Sequence, residues 1–200
     1  MRIPGEVDAE QVLAALGTLI EARDPYTAGH QARVAQIAVA LAYELGLSPE
    51  RIDGLRIAAL VHDVGKIVVP SSLLMKPTTL SEAERELMCL HVLAGVSVLD
   101  RIDFPWPVSR MVHEHHERLD GTGYPRGLAG DAVLFESRIL AVADTFEALT
   151  SFRPYRAAMS TEAALALLER DYDRAFDGRV VDACVAIHRE AYVYCAPAHA

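Results

Sequence analysis

The sequence sets imidazoles and carboxylates, one or two at a time, into successive apolar stretches: His30, the pair His62-Asp63, His91, the pair His115-His116, and Asp144. Apolar residues around them recur at helical intervals nearly throughout, and no convincing run of alternating residues supports a strand. At His91, between Leu90 and Val92, an imidazole left without a partner would cost roughly 1 to 3 kcal/mol. The periodicity points to an all-α bundle. Mixed imidazole and carboxylate donors without cysteine suit hard or borderline divalent ions, as in a hydrolase that holds two of them.

The periodicity divides the chain into helices. Val12, Leu16, Leu19 and Ile20 share a face in a first helix from about Asp8 to Ala22. Thr27 is a candidate N-cap for a second, which carries His30 in its first turn and is expected to bury Val34, Ile37, Leu41 and Leu45. Ser48-Pro49-Glu50 starts a third, whose apolar side is Ile52, Leu55, Ala59 and Leu60 and whose far end delivers His62 and Asp63. After a loop through Pro70, Pro77 and Thr79, Ser81 and Glu84 form a capping-box pattern for the helix bearing His91. Pro105 and Pro107 introduce a short helix ending at His115 and His116, and the glycines from Gly121 to Gly130 mark a long loop. Helices from Phe135 to Leu149 with Asp144, from Thr161 to Asp171 after a Ser160 cap, and from Gly178 to Tyr192 complete the bundle.

Two hundred residues at 52% hydrophobic content suffice for one core, and a single domain spanning residues 1–200 is expected. No apolar run reaches the roughly 18 residues of a membrane span, and MRIPGEVDAE lacks the order of a signal peptide, so a cytoplasmic chain with no membrane partner is expected. Cys89, Cys184 and Cys195 are far apart and follow no metal or disulfide spacing. A net charge of -9 argues against a DNA- or RNA-binding protein, so an anionic substrate has to be met by local positive charge.

Two stretches are more specific: His62-Asp63-Val64-Gly65-Lys66, and His115-His116-Glu117-Arg118-Leu119-Asp120-Gly121-Thr122-Gly123-Tyr124-Pro125. With YTAGHQARV before them and ADTFEALTSFRPYRAAM after, they resemble the HD-GYP family, a branch of the HD-domain metal-dependent phosphohydrolases. The resemblance runs from about Asp24 to Val193 and implies a helical bundle of the HD-domain type with a long GYP loop. It also implies that Asp63 bridges two divalent metal ions, with His30, His62, His91, His115, His116 and Asp144 completing their shells. Iron or manganese is the first choice it suggests, while the donors also suit zinc, nickel or cobalt. Members that hold three metals carry a glutamate four residues before the first histidine; Tyr26 stands there, so two ions are expected. Leu119 occupies a position where many relatives have tryptophan.

On the substrate side, the resemblance gives Lys66 a phosphate oxygen of the substrate to stabilise, and Arg153 and Arg156 the grip on the second phosphate of a cyclic dinucleotide. Gly121, Gly123, Tyr124 and Pro125 form the loop that shapes the site and bears on recognition of cyclic di-GMP. The implied reaction is attack on one phosphorus by a hydroxide shared between the ions, opening the ring to linear pGpG; whether a second round carries it to GMP does not follow from these residues. His188 and His199 match no motif and read as surface residues, and His113 has no assigned role.

Two other readings stay open. The domain is a cyclic-dinucleotide-binding module of negligible turnover that signals through a protein contact, for which a diguanylate cyclase is a candidate, or it hydrolyses a different nucleotide. Guanine specificity and oligomeric state do not follow from these residues.

Overall fold

The structure, a computed structural model, describes residues 9–23, 28–152 and 157–195. Among these residues there are nine α-helices, two isolated β-bridges and no strand. The helices are α1 (Ala9–Glu21), α2 (His30–Glu44), α3 (Pro49–Val61), α4 (Ser71–Leu74), α5 (Glu82–Leu99), α6 (Val108–Glu114), α7 (Phe135–Thr150), α8 (Thr161–Arg170) and α9 (Gly178–Cys195). None is long and apolar enough to cross a membrane.

α3 is the axis of the bundle. Ile52, Leu55, Ile57, Ala58, Ala59, Leu60 and Val61 are all buried; Glu50, Arg51, Asp53 and Arg56 keep a polar side on the first half, and from Ile57 on the helix is apolar all round. A helix hydrophobic all round has to be surrounded, and α1, α2, α6 and α7 all pack against it. Its C-terminal end therefore opens into the protein interior, which is where His62 caps it and Asp63 follows.

A short 3-10 turn, Val64–Val68, then lies directly against α5. Gly65 makes that approach possible: a Cβ there would sit 1.8 Å from the His91 carbonyl oxygen and 2.4 Å from the Gly95 nitrogen. The contact sets Asp63 and Lys66 beside His91. The Arg23 guanidinium, at the end of α1, donates to the carbonyl oxygens of Ile67 and, at 3.2 Å, Val69, tying this turn to α1.

Several elements follow the local signals. Ser81 and Glu84 form both hydrogen bonds of the capping box on α5, and the Ser160 hydroxyl accepts from the Ala163 amide at the start of α8. Others depart from them. In α1 the buried apolar face is Leu13, Gly17 and Ile20, with Glu21 buried at its end, while Val12, Leu16 and Leu19 are exposed. In α2, Val34 and Leu41 are buried, but Ile37 and Leu45 only half-buried. The proline-containing stretch after Val69 includes the short helix α4 rather than loop alone. Thr27 lies outside the described residues; the N-cap position of α2 is Gly29, and the buried Glu21 carboxylate accepts from the amides of Gly29 (2.7 Å) and Gln31 (2.9 Å). An acid from α1 thus holds the start of α2 and with it His30.

Candidate metal centre

Seven side chains from five helices meet at the interior end of α3: His30 of α2, His62 and Asp63 after α3, His91 of α5, His115 and His116 after α6, and Asp144 of α7. His30, His62, Asp63, His91 and His115 are buried. All seven are positions where the sequence places candidate ligands.

One nitrogen of each of four imidazoles is already committed. The Nδ1–H groups of His62, His91 and His115 donate to the carbonyl oxygens of Ala59 (2.8 Å), Met88 (2.7 Å) and Val112 (2.6 Å), each three residues back along the chain. His30 begins its helix and has no helical carbonyl behind it, so its Nδ1 meets the Glu147 carboxylate instead. A carbonyl oxygen can only accept, so Nδ1 carries the proton and Nε2 is left with a lone pair. The Nε2 atoms of His62, His91 and His115 are buried without any hydrogen-bond partner. Each would cost about 1–3 kcal/mol if nothing electron-poor faced it.

The spacing fits cations. His30 Nε2 is 3.3 Å from an Asp144 oxygen and 3.7 Å from Asp63 Oδ2; His62 Nε2 is 3.5 Å from Asp63 Oδ2; His91 Nε2 is 3.7 Å from Asp63 Oδ1. The three contacts to Asp63 are long for hydrogen bonds, and all four gaps are close to the roughly 3.3–3.6 Å between tetrahedral ligands held about 2.0–2.2 Å from one ion. The donors form separate groups, His91 with His115 and His116, and His30 with His62 and Asp144. Asp63 lies between, its two oxygens turned to different groups.

The electrostatics match that role. Burial alone would raise the Asp63 carboxyl, but Lys66 and the surrounding imidazoles outweigh it and hold it well below the usual carboxylate range. Burial likewise opposes the charged form of Asp144, and the His30 hydrogen bond outweighs it. Burial, with His62 and His91 adding to it, pushes the His115 imidazole down to about 3, and burial with its histidine neighbours lowers His116 strongly. These rings are neutral at neutral pH. His30 goes the other way: burial lowers it, yet the hydrogen bonds to Asp144 and Glu147 prevail and raise it to about 9.

Lys66 lies on the wall of the same cavity, and its ammonium is 2.6 Å from Asp63 Oδ2, balancing that carboxylate. Of the loop residues, Tyr124 lines the cavity, its ring stacked on His116 at 4.7 Å between centroids. The Tyr124–Pro125 peptide is cis. Gly123 shapes the path of the loop: a Cβ would lie 2.4 Å from the Glu117 Cα. Gly121 turns against Gly127. Arg153 and Arg156 lie outside the described residues, as do Tyr26 and His199. His188 is half-buried rather than a surface residue, its ring 4.2 Å from Phe146 and its Nδ1 donating to the Cys184 carbonyl. His113 faces a separate groove with Asp100, Ser109 and Arg126.

Three buried acids that support the site have no role assigned from the sequence, although Glu117 lies within the motif from His115 to Pro125. Glu147 accepts from Arg33 (2.7 Å) and Ser151 (2.7 Å) as well as from His30. Glu117 accepts from the amides of Arg126 and Leu128, closing the loop back on its own root. Glu114 accepts from Arg110, Arg126 and the Leu134 amide. The available signal is an acid at a helical position whose neighbours are buried; Glu147 is one turn beyond Asp144.

Residues 14–180 match the HD domain family. The chain is 42% identical over 168 residues to 3'3'-cGAMP-specific phosphodiesterase 3 of Vibrio cholerae, covering 84% of this chain and 36% of that protein. It is 43% identical over 175 residues to the cyclic di-GMP phosphodiesterase response regulator RpfG of Xanthomonas campestris, covering 86% and 46%. The chain thus spans less than half the length of these relatives. The solved structure of a cyclic GMP-AMP specific phosphodiesterase of V. cholerae (V-cGAP3) superposes with a TM-score of 0.71 over 92% of this chain and 50% of that one, at 19% identity across the matched residues, a likeness of fold. By this match, and by the motif from His115 to Pro125, the chain belongs to the HD domain family, in its HD-GYP branch.

Proposed function

We propose that this domain is a metal-dependent phosphodiesterase that opens cyclic di-GMP to pGpG and carries pGpG on to GMP. The observation that supports it most is the placement of Asp63, with one carboxylate oxygen toward each group of imidazoles and unpartnered Nε2 atoms on both sides. We propose two ions, with His91, His115 and His116 holding one, His30, His62 and Asp144 the other, and Asp63 shared. Such ions supply Lewis acidity and lower the pKa of water at the site. The donor set suits iron or manganese.

The chain's own groups supply the rest. The four Nδ1 hydrogen bonds hold the imidazoles in the tautomer and orientation that leave Nε2 free. Lys66 shares the cavity wall with Asp63, so its ammonium is placed to meet charge developing on a phosphate oxygen. Tyr124 covers His116 and narrows the cavity beside it. Arg153 and Arg156 are proposed to grip the second phosphate. A second reading, 3'3'-cGAMP as substrate, is favoured by the names of relatives such as the 42% identical phosphodiesterase of V. cholerae.

Anaerobic purification with iron or manganese, followed by chromatography of products from cyclic di-GMP, 3'3'-cGAMP and pGpG, tests the proposal. Wild type is expected to convert cyclic di-GMP, and Asp63→Ala is expected to lose turnover and metal together. Full activity of metal-replete Asp63→Ala would overturn the mechanism; turnover of 3'3'-cGAMP with cyclic di-GMP untouched would favour the second reading.

A further inference from the structure

The cavity that ends on the histidine cluster measures about 660 Å³, well inside the span of about 300–1,000 Å³ typical of clefts for organic ligands. Only part of its wall carries the candidate metal ligands, Lys66 and Tyr124. The opposite wall is built by α4 and the start of α5. There Leu73 and Leu74, packed with Leu80 and Met88, form a small apolar cluster separate from the main core. Thr79 and Arg85 border it, and both are exposed.

The cations on this cavity differ in how they are matched. Lys66 is paired with Asp63, and Lys76 donates to both oxygens of Glu84. The Arg85 guanidinium has no hydrogen bond or ion pair with any described residue, in a chain whose net charge is -9. A guanidinium without a carboxylate, beside an apolar cluster and on the same cavity as the candidate metal ligands and Lys66, suits the base of a nucleotide. The cluster covers a ring face, and the planar fork of Arg85 donates two parallel hydrogen bonds. Guanine presents two adjacent acceptors, O6 and N7, to such a fork, whereas adenine presents N7 beside an amino donor.

We propose that Leu73, Leu74, Leu80 and Met88 floor a purine subsite, edged by Thr79, in which Arg85 selects guanine. This inference rests on the proposed phosphodiesterase activity and names its specificity determinant.

The test compares kcat/KM for cyclic di-GMP with that for bis(p-nitrophenyl) phosphate, a phosphodiester without a purine, in metal-loaded wild type, Arg85→Met and Arg85→Lys. Arg85→Met is expected to lower the ratio of the two values by about tenfold or more, chiefly through KM. Arg85→Lys, which keeps the charge and loses the fork, is expected to recover only a small part. An unchanged ratio in Arg85→Met, or full recovery in Arg85→Lys, would overturn the assignment of Arg85 while leaving the activity standing. A wild type that cleaves bis(p-nitrophenyl) phosphate and no guanine-containing dinucleotide would overturn the proposed function, and this inference with it.

Discussion

His30 differs from its neighbours in what stands behind it. His62, His91 and His115 lean on backbone carbonyls, whereas His30 leans on the Glu147 carboxylate and faces Asp144. Without metal its pKa of about 9 keeps it protonated at neutral pH, while His115, at about 3, is already neutral. A protonated imidazole cannot ligate, so cation binding has to displace the His30 proton. Because the folded pKa is raised, the linked stabilisation of the metal-free protein is complete below pH 6.5 and is lost as pH rises through about 9. Cation affinity moves the opposite way, rising about tenfold per pH unit between pH 7 and 9 from this group. Calorimetric titrations in buffers of different ionisation heat should detect release of about one proton at pH 7; an affinity flat in pH would contradict this. The residue set itself was legible through the resemblance that the motifs from His62 to Lys66 and from His115 to Pro125 carry, since a lone histidine such as His30 or His91 in a helix does not announce a ligand. Glu147 was not, since a glutamate in a helix looks the same in sequence whether it faces solvent or accepts from Arg33, Ser151 and His30.

At the scale of elements, the glycine of the HD-containing motif has a steric task. With 1.8 Å between a would-be Cβ and the His91 carbonyl, Gly65→Ala has to push the 3-10 turn off α5. Overpacking of this kind costs about 1–3 kcal/mol, and it moves Asp63 and Lys66 away from His91. Denaturant titration should show the loss of stability, and metal titration a weakened affinity; a variant as stable and as tightly loaded as wild type would show that the contact relaxes freely. Caps at Ser81 and Ser160 were legible because they are local hydrogen-bonding chemistry. The buried face of α1 was not: Val12, Leu16 and Leu19 form as good a stripe as Leu13, Gly17 and Ile20. Tertiary contact chose the second, where Gly17 lets α1 approach Gln31 and the Leu60 carbonyl. α4 was obscured because four residues between prolines carry no period to read.

For the whole molecule, α3 explains why distant groups meet. The apolar circumference of its second half forces α1, α2, α6 and α7 around it, and the ends of α3 and α6, the start of α2 and the middle of α5 and α7 are brought to one level. Convergence of five helices was implied by the resemblance to the HD-GYP family, whereas the cavity beside them was not, since part of its wall comes from α4 and the start of α5 and bears no motif. The central claim is that this convergence holds two cations astride Asp63. Diffraction from crystals grown anaerobically with manganese, recorded on both sides of the manganese absorption edge, tests it directly. Two anomalous peaks are predicted, one beside His91, His115 and His116 and one beside His30, His62 and Asp144, with Asp63 between them. A single peak, or none within reach of these side chains, would contradict the account.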